Sequence, residues 1–450
     1  MMRLIGLVLT IVFYTTVSAQ ENSPYSRYGL GDIAPNHNIV TRGMGGISAG
    51  YADFSSINFI NPASYGNLGY VEPAVIKLNP GYQRSTIFDI GVEVDSKTLK
   101  STSPLAKYTA NNLVISYVQL AFPIKLKKAN RKGIFLGANL GLKPVSKINY
   151  KIAKFERLPG IDSAATIYEG NGGLNEVTTG LGLRIKNLSI GFNFGYAFGT
   201  KDYSTKLTFL NDTAHYYTSN SSSKTNFGGA FINGGLQYEI MLKNKALLRL
   251  GAYGNLKQTL HGSQDIMRQT ISTDANGSDV KIDSIYVNNI KGNVIRPASY
   301  GVGFTYKDSI GHWSFGADYE ATQWQDYRFF GTPDLVANNW KIRAGMEYFP
   351  ATYNTPIKKY FSFVRYRFGF NYGSDPVKIN STLPEYGFTF GAGFPLKLRR
   401  GFYETQSSML NTALEIGSRG DSKSNIREST VRLSFGLSLG DLWFRRSKYD

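Results

Sequence analysis

The 450-residue sequence contains no cysteine. A chain without thiols forms no disulfide scaffold, carries no lipid on a cysteine and builds no thiolate metal site. It also lacks a long hydrophobic run. Beyond the first residues, no apolar stretch approaches the ~20 residues that a helix needs to cross a bilayer. Histidine is scarce and scattered, at positions His37, His215, His261 and His312, so no metal site and no cofactor is expected. No Gly-x-Ser-x-Gly elbow or comparable motif is present, so no catalytic residue is assigned and the chain is not expected to be an enzyme. Acidic residues are outnumbered, 32 against 50 basic ones, for a formal charge of +18. Basic surplus can signal nucleic acid, but no basic helix, zinc-ligand spacing or stacking platform accompanies it, so no nucleic-acid partner is expected. The surplus suits outer-membrane lipid and lipopolysaccharide, ligands in a lumen, or acidic partners.

What is present begins with Arg3, an apolar run from Leu4 to Tyr14, and Val17-Ser18-Ala19. That order of charge, grease and small residues predicts a cleaved signal peptide over residues 1–19 and export from the cytoplasm. Glycine (48), tyrosine (30) and phenylalanine (28) are abundant, whereas proline is held to 16. From about residue 71 onward the chain alternates with period two. Leu188, Ile190, Phe192, Phe194, Tyr196 and Phe198 are apolar, and small or polar residues stand between them. Val431, Leu433, Phe435, Leu437 and Leu439 repeat the pattern near the end. Such alternation gives each strand one greasy and one polar face.

Connections sort by length. Short ones fall at Lys127 to Lys132, around Asn187, at Leu242 to Lys245 and at Lys307 to His312. Long polar stretches, read as loops, alternate with them at Pro144 to Glu176, Thr200 to Asn226 and His261 to Pro297. Tight periplasmic turns alternating with long extracellular loops are the habit of outer-membrane barrels. A chain that enters lipid without helices must satisfy its backbone by closing a sheet. The fold class is therefore all-β: a transmembrane antiparallel β-barrel of about 14 strands in a Gram-negative outer membrane. Trp313, Trp324, Trp340, Trp443, Phe444, Tyr348, Phe349, Tyr360 and Phe361 fall near predicted strand ends, where a water–lipid belt would lie.

Residues 20–70 break the alternation. They read Met44-Gly45-Gly46-Ile47-Ser48-Ala49-Gly50-Tyr51-Ala52-Asp53 and then Asn61-Pro62-Ala63. Density of small residues predicts a hatch packed inside the lumen, with Gly43, Gly45, Gly46, Asn61, Pro62 and Ala63 as its hatch or gate positions. The division expected is 1–19 signal peptide, 20–70 hatch and 71–450 barrel. This run resembles the N-terminal signature of the FadL/TodX family of outer-membrane transport barrels and of its relative, the shuttle barrel of type IX secretion. The resemblance continues in Trp324 with Tyr327, in Tyr366-Arg367-Phe368-Gly369-Phe370 and in Gly391-Ala392-Gly393-Phe394-Pro395. It reaches Phe435-Gly436-Leu437-Ser438-Leu439, and the tail Trp443 to Asp450 looks like the endings of Bacteroidota members. It implies a hatch in a barrel of about fourteen strands and diffusive uptake of hydrophobic or amphipathic compounds such as long-chain fatty acids. The loops depart from that pattern, being rich in Ser, Thr, Asn and Asp rather than apolar residues. They suit the alternative, a non-transporting accessory or adaptor barrel with protein partners in an outer-membrane secretion or barrel-assembly complex.

Alternation sends Arg184, Arg249, Arg343, Arg365, Arg367 and Arg432 to the lumen, with Asp318, Glu320, Glu347 and Glu415 on the same face. Two readings follow. The charges pair with one another and stiffen the barrel, or Arg365, Arg367, Arg184, Arg343 and Arg432 receive an anionic head group.

Overall fold

The computed structural model describes residues 23–53, 55–70, 85–102, 105–124, 132–159, 162–210, 216–273, 279–351, 355–356, 359–379, 381–396, 407–421 and 424–441. The signal-peptide region and Trp443-Phe444 lie outside the described residues. No described helix is long and apolar enough to cross a membrane. The alternating segments instead form one closed wall. Its strands are β1 (Thr86–Thr102), β2 (Leu105–Ile124), β3 (Ile134–Leu158), β4 (Asp162–Ile185), β5 (Leu188–Leu210), β6 (Thr218–Met241) and β7 (Leu247–Asn255). They continue as β8 (Ser299–Lys307), β9 (Trp313–Thr322), β10 (Asn339–Tyr348), β11 (Arg365–Lys378), β12 (Thr382–Pro395), β13 (Ser407–Arg419) and β14 (Ile426–Asp441). Every neighbour pair is antiparallel, and β14 pairs with β1 from Ile426↔Ser101 to Asp441↔Thr86, which closes the ring of fourteen. Closure leaves no ring-long unpaired edge in lipid.

The two-residue period decides which face is wet. On β5, Ile190, Phe192, Phe194, Tyr196 and Phe198 are exposed on the outside, while Ser189, Asn193 and Ala197 are buried inward. On β14, Val431, Leu433 and Leu439 are exposed and Ser434 and Ser438 are buried. A soluble protein would have hidden those outer rows; in a barrel they meet lipid.

Two expectations are corrected. The described parts of the stretches read as long loops are strands: β3 holds Ile134–Leu158 and β4 Asp162–Ile185, and β5 and β6 continue well above the apolar band. The hairpin Gln258–Thr273 with Asp279–Arg296 extends β7 and β8 upward after short breaks. Serine, threonine and asparagine mimic loop composition, yet their backbones pair because each neighbouring strand is equally tall. The first described wall strand begins at Thr86; residues 71–84, where the barrel is expected to begin, lie outside the described residues. Trp324 does not stand in the lipid belt. It sits in a 3-10 turn at Trp324–Asp326, buried in the lumen.

Candidate functional site: the lumen and its hatch

The described residues 23–53 and 55–70 pack against inward-facing residues of the wall. A short helix, Ile39–Arg42, is capped by Asn38, whose Oδ1 accepts from Thr41 N at 2.8 Å. The chain then turns through Gly43, Gly45 and Gly46. Gly45 and Gly46 have φ of +70° and +88°, a region that side-chain-bearing residues rarely adopt. At Gly45 there is also no space, since a Cβ would fall 2.7 Å from the carbonyl oxygens of Ala344 and Phe370. Gly43 lies against Gly391 and Arg367. The wall answers with its own glycines: a Cβ at Gly369 would meet Gly45 N at 2.0 Å, and one at Gly251 would meet Ala49 O at 1.8 Å.

Asn61, Pro62 and Ala63 start a second element, the 3-10 helix Pro62–Leu68. Asn61 Oδ1 accepts from Ala63 N at 3.1 Å, and its Nδ2 donates to Ala49 O at 2.7 Å and to Leu236 O and Ala252 O at 3.3 Å. One buried amide thus ties the turn, the preceding hatch segment at Ala49 and two wall strands. Pro62 is packed on Gly182, Gly191 and Gly235.

The six inward arginines are all engaged by carboxylates. Glu239 accepts from Arg184 at 2.5 Å and from Arg249 at 2.6 Å. Glu347 accepts from Arg365 at 2.9 Å and from Arg367 at 2.7 Å. Arg343 donates to Glu320 at 2.7 Å. Arg432 donates to Glu415 at 3.0 Å and also pairs with Asp95. Several of these groups reach hatch atoms as well. Arg249 donates to Ala52 O at 3.2 Å, Arg184 donates to Asn67, and Arg365 stands 3.5 Å from Asp53. Burial pushes the Asp53 carboxyl up, but Arg365 and the Ser55 hydroxyl outweigh it and hold the group at about 2.

Arg42 and Asp32, not singled out by sequence reading, and Asp318 in a different role complete the lock. Arg42 pairs with Glu93 of β1 and donates to Ser434 Oγ at 3.1 Å. Asp318, expected as an arginine partner, accepts from the Ser48 and Ala49 amides at 2.5 and 2.8 Å. Asp32 joins Lys97 at 2.6 Å and Arg419 at 2.8 Å. The signal for Arg42 was present: a lone cation inside a small-residue run needs a buried partner.

Above the hatch the filling changes to apolar side chains. Leu30, Val145, Leu174, Phe227, Phe231, Leu260 and Val294 pack with Trp324 and Tyr327, and Phe329, Phe330 and Val336 lean on them. The segment after β9 thereby folds back over the hatch. At Gly29 (φ +61°) the carbonyl accepts from Tyr327 Oη at 2.8 Å and Lys201 Nζ at 3.2 Å, and the amide donates to Asp334 at 2.8 Å.

The wall is not uniform. Between β2 and β3 the described ladder runs from Ile124↔Leu136 to Val118↔Leu142 and stops. Above that point Pro144, which has no amide to donate, sits at a bulge. There the hatch itself pairs with β3, through Asp32↔Lys147 and Ile33↔Ser146, and Ala34 N donates to Val145 O at 2.9 Å.

A family model, BamG, matches residues 1–450. The chain belongs to the BamG family. By structure this BamG-family barrel resembles the CymD monoaromatic hydrocarbon channel, at 13% identity over 93% of this chain and 100% of that one, with a TM-score of 0.54. It also resembles the Ralstonia pickettii toluene transporter TbuX (16% identity, 91% and 99% covered, TM-score 0.53). A Pseudomonas aeruginosa FadL homologue gives 12% identity, 92% and 99% covered and a TM-score of 0.55. These likenesses establish the FadL-type outer-membrane barrel fold that the sequence resemblance implied. No curated protein matches significantly by sequence.

Proposed function

We propose that this BamG-family barrel is an accessory or adaptor subunit of an outer-membrane protein complex, held closed rather than built to pass a solute. The observation that carries the reading is the state of the lumen. Each of the six inward arginines already has a carboxylate, so a fatty-acid head group would have to displace a partner bonded in a site shielded from water. The space above the hatch, where a hydrophobic tail would lie, holds the chain's own Trp324, Tyr327, Phe227 and Phe231. Tall, polar, hydrogen-bonded strands on the extracellular side suit a protein surface better than a collector of grease. The BamG match accords with this reading.

A second reading, diffusive uptake of a hydrophobic compound, is favoured by one observation: the ladder between β2 and β3 ends at Val118↔Leu142, next to the hatch. Such a break offers a sideways route from lumen to lipid. Two measurements separate the readings. Purified protein should bind no long-chain carboxylate in detergent and conduct no ions in planar bilayers, and gently solubilised membranes should yield it with stoichiometric partners. Saturable fatty-acid binding lost in Arg365→Gln/Arg367→Gln, from protein that purifies alone, would favour transport instead.

A further inference from the structure

At the short-turn end of the barrel, which faces the periplasm in outer-membrane barrels, exposed charge is nearly all of one sign. Lys132, Lys186, Lys243, Lys245, Lys307 and Lys359 are exposed there, while Asp308 and Asp441 are the acidic residues described at the same level. Three consecutive turns at this end also present a large apolar side chain beside a lysine. Met241 precedes Lys243 and Lys245, Ile310 follows Lys307, and Phe361 follows Lys359, and they are 65%, 72% and 72% exposed. None belongs to the lipid-facing rows. Met241 ends β6 on the parity opposite to Tyr238, Ile310 lies in a turn, and Phe361 lies in the 3-10 helix Tyr360–Phe363. Ile310 and Phe361 lie in the connections that precede Trp313 of β9 and Tyr366 of β11, whose hydroxyl donates to the Phe361 carbonyl at 3.1 Å, and Met241 closes β6.

Apolar side chains this exposed among lysines at the short-turn end mark a surface that something covers. The lysine surplus around them selects a cover of negative charge, and charge complementarity sets both encounter rate and register. We propose that the periplasmic rim built on Met241, Lys243, Lys245, Lys307, Ile310 and Phe361 docks an acidic surface of a periplasmic protein, with the three apolar side chains as anchors. This rests on the adaptor reading and names the face through which it acts. Anionic phospholipid shares the charge, and crosslinks from the rim distinguish it from a protein.

The experiment isolates the full chain from native membranes in mild detergent as wild type, as Lys243→Glu/Lys245→Glu/Lys307→Glu and as Ile310→Ser/Phe361→Ser. Heat-modifiability on gels checks that each barrel is folded. A photo-crosslinking residue at position 310 or 361 reports what touches the rim. The expected result is a stoichiometric partner that crosslinks through an acidic segment and whose recovery falls by roughly tenfold or more in both variants. A partner retained by both folded variants overturns the docking face and leaves the adaptor reading standing. Wild-type protein that purifies alone overturns the adaptor reading itself. Crosslinks to phospholipid alone overturn the protein partner in favour of a lipid contact.

Discussion

In the lower half of the lumen, Glu347 holds Arg365 and Arg367, Glu239 holds Arg184 and Arg249, and Arg249 also donates to the hatch carbonyl of Ala52. In the upper half, Trp324 and Tyr327 close over Leu30, Leu174, Phe231 and Leu260 with few directional bonds. The two fillings exclude solute by different physics. The lower one is set by geometry: Glu347 and Glu239 each fix two arginines, and removing one partner leaves charge stranded in a place that solvates it poorly. The upper one is set by volume, so truncation opens a cavity but strands nothing. The lower half should therefore be brittle and the upper half forgiving.

The largest effect is expected from Glu347→Ala. It leaves Arg365 and Arg367 without their shared acceptor, and breaking buried pairs of this kind costs about 3–5 kcal/mol. Denaturant unfolding in detergent should show that loss, and planar bilayers should show new conductance as Asp53 and the nearby hatch loosen. An unfolding midpoint within error of wild type would mean that water already reaches these arginines. Trp324→Ala should cost about 3 kcal/mol, near the low end for a buried aromatic. Here the conductance should stay negligible, because Arg42–Glu93 and the Asp318 bonds still hold the hatch below. Equal conductance from the two variants would erase the distinction between the halves.

Much of the lower half was legible in the sequence and little of the upper half was. Alternation placed the six arginines and Glu320, Glu347 and Glu415 on one face, but left open whether they pair with one another or receive a head group. Small-residue density marked Gly43 to Gly46 and Asn61 to Ala63 as close-packed, because only bare backbone can approach a wall at such distances. What alternation cannot give is which strands neighbour the hatch. Glu239 serving Arg184 and Arg249 together, and Asp318 serving backbone amides, arise from ring closure and the path of residues 23–70. The upper cluster was missed for a related reason. Trp324 sits just past a strand end, where a membrane belt is the ordinary expectation, and only the fold-back of the following segment turns it inward. The tall polar strands were misread because composition reports solvent exposure, whereas pairing depends on the height of the neighbour.

Protonation offers a subtler way to separate the halves. His37 is buried in the hatch, and burial is the main reason its imidazolium is disfavoured, with Arg343, Arg42, Lys143 and Lys341 adding repulsion. Its folded value lies well below the ordinary 6.5. The unfolded chain therefore binds more protons below pH 6.5, so the contribution of neutral His37 is complete above that value and declines as pH falls. The slope approaches about 1.4 kcal/mol per pH unit for one such group. Unfolding measured from pH 7.5 to 5 should fall more steeply for wild type than for His37→Gln, and parallel profiles would show that His37 is solvated.

The smallest expected effect lies where the two halves meet. Tyr327 packs in the upper cluster, but its hydroxyl donates to the Gly29 carbonyl at 2.8 Å, a directional bond within an apolar setting. Tyr327→Phe removes that donor and nothing else. The carbonyl keeps Lys201 Nζ at 3.2 Å, so it is not left unsatisfied, and the cost should be about 1 kcal/mol, the net worth of one hydrogen bond. Tyr327→Ala, which also removes the ring, should cost about 3 kcal/mol. The ratio of the two is the informative quantity. If Phe is nearly as harmful as Ala, the upper half is held by its hydrogen bond to Gly29 and resembles the lower half. If Phe is mild and Ala severe, packing holds it, and amide exchange around Gly29 should accelerate only in the alanine variant.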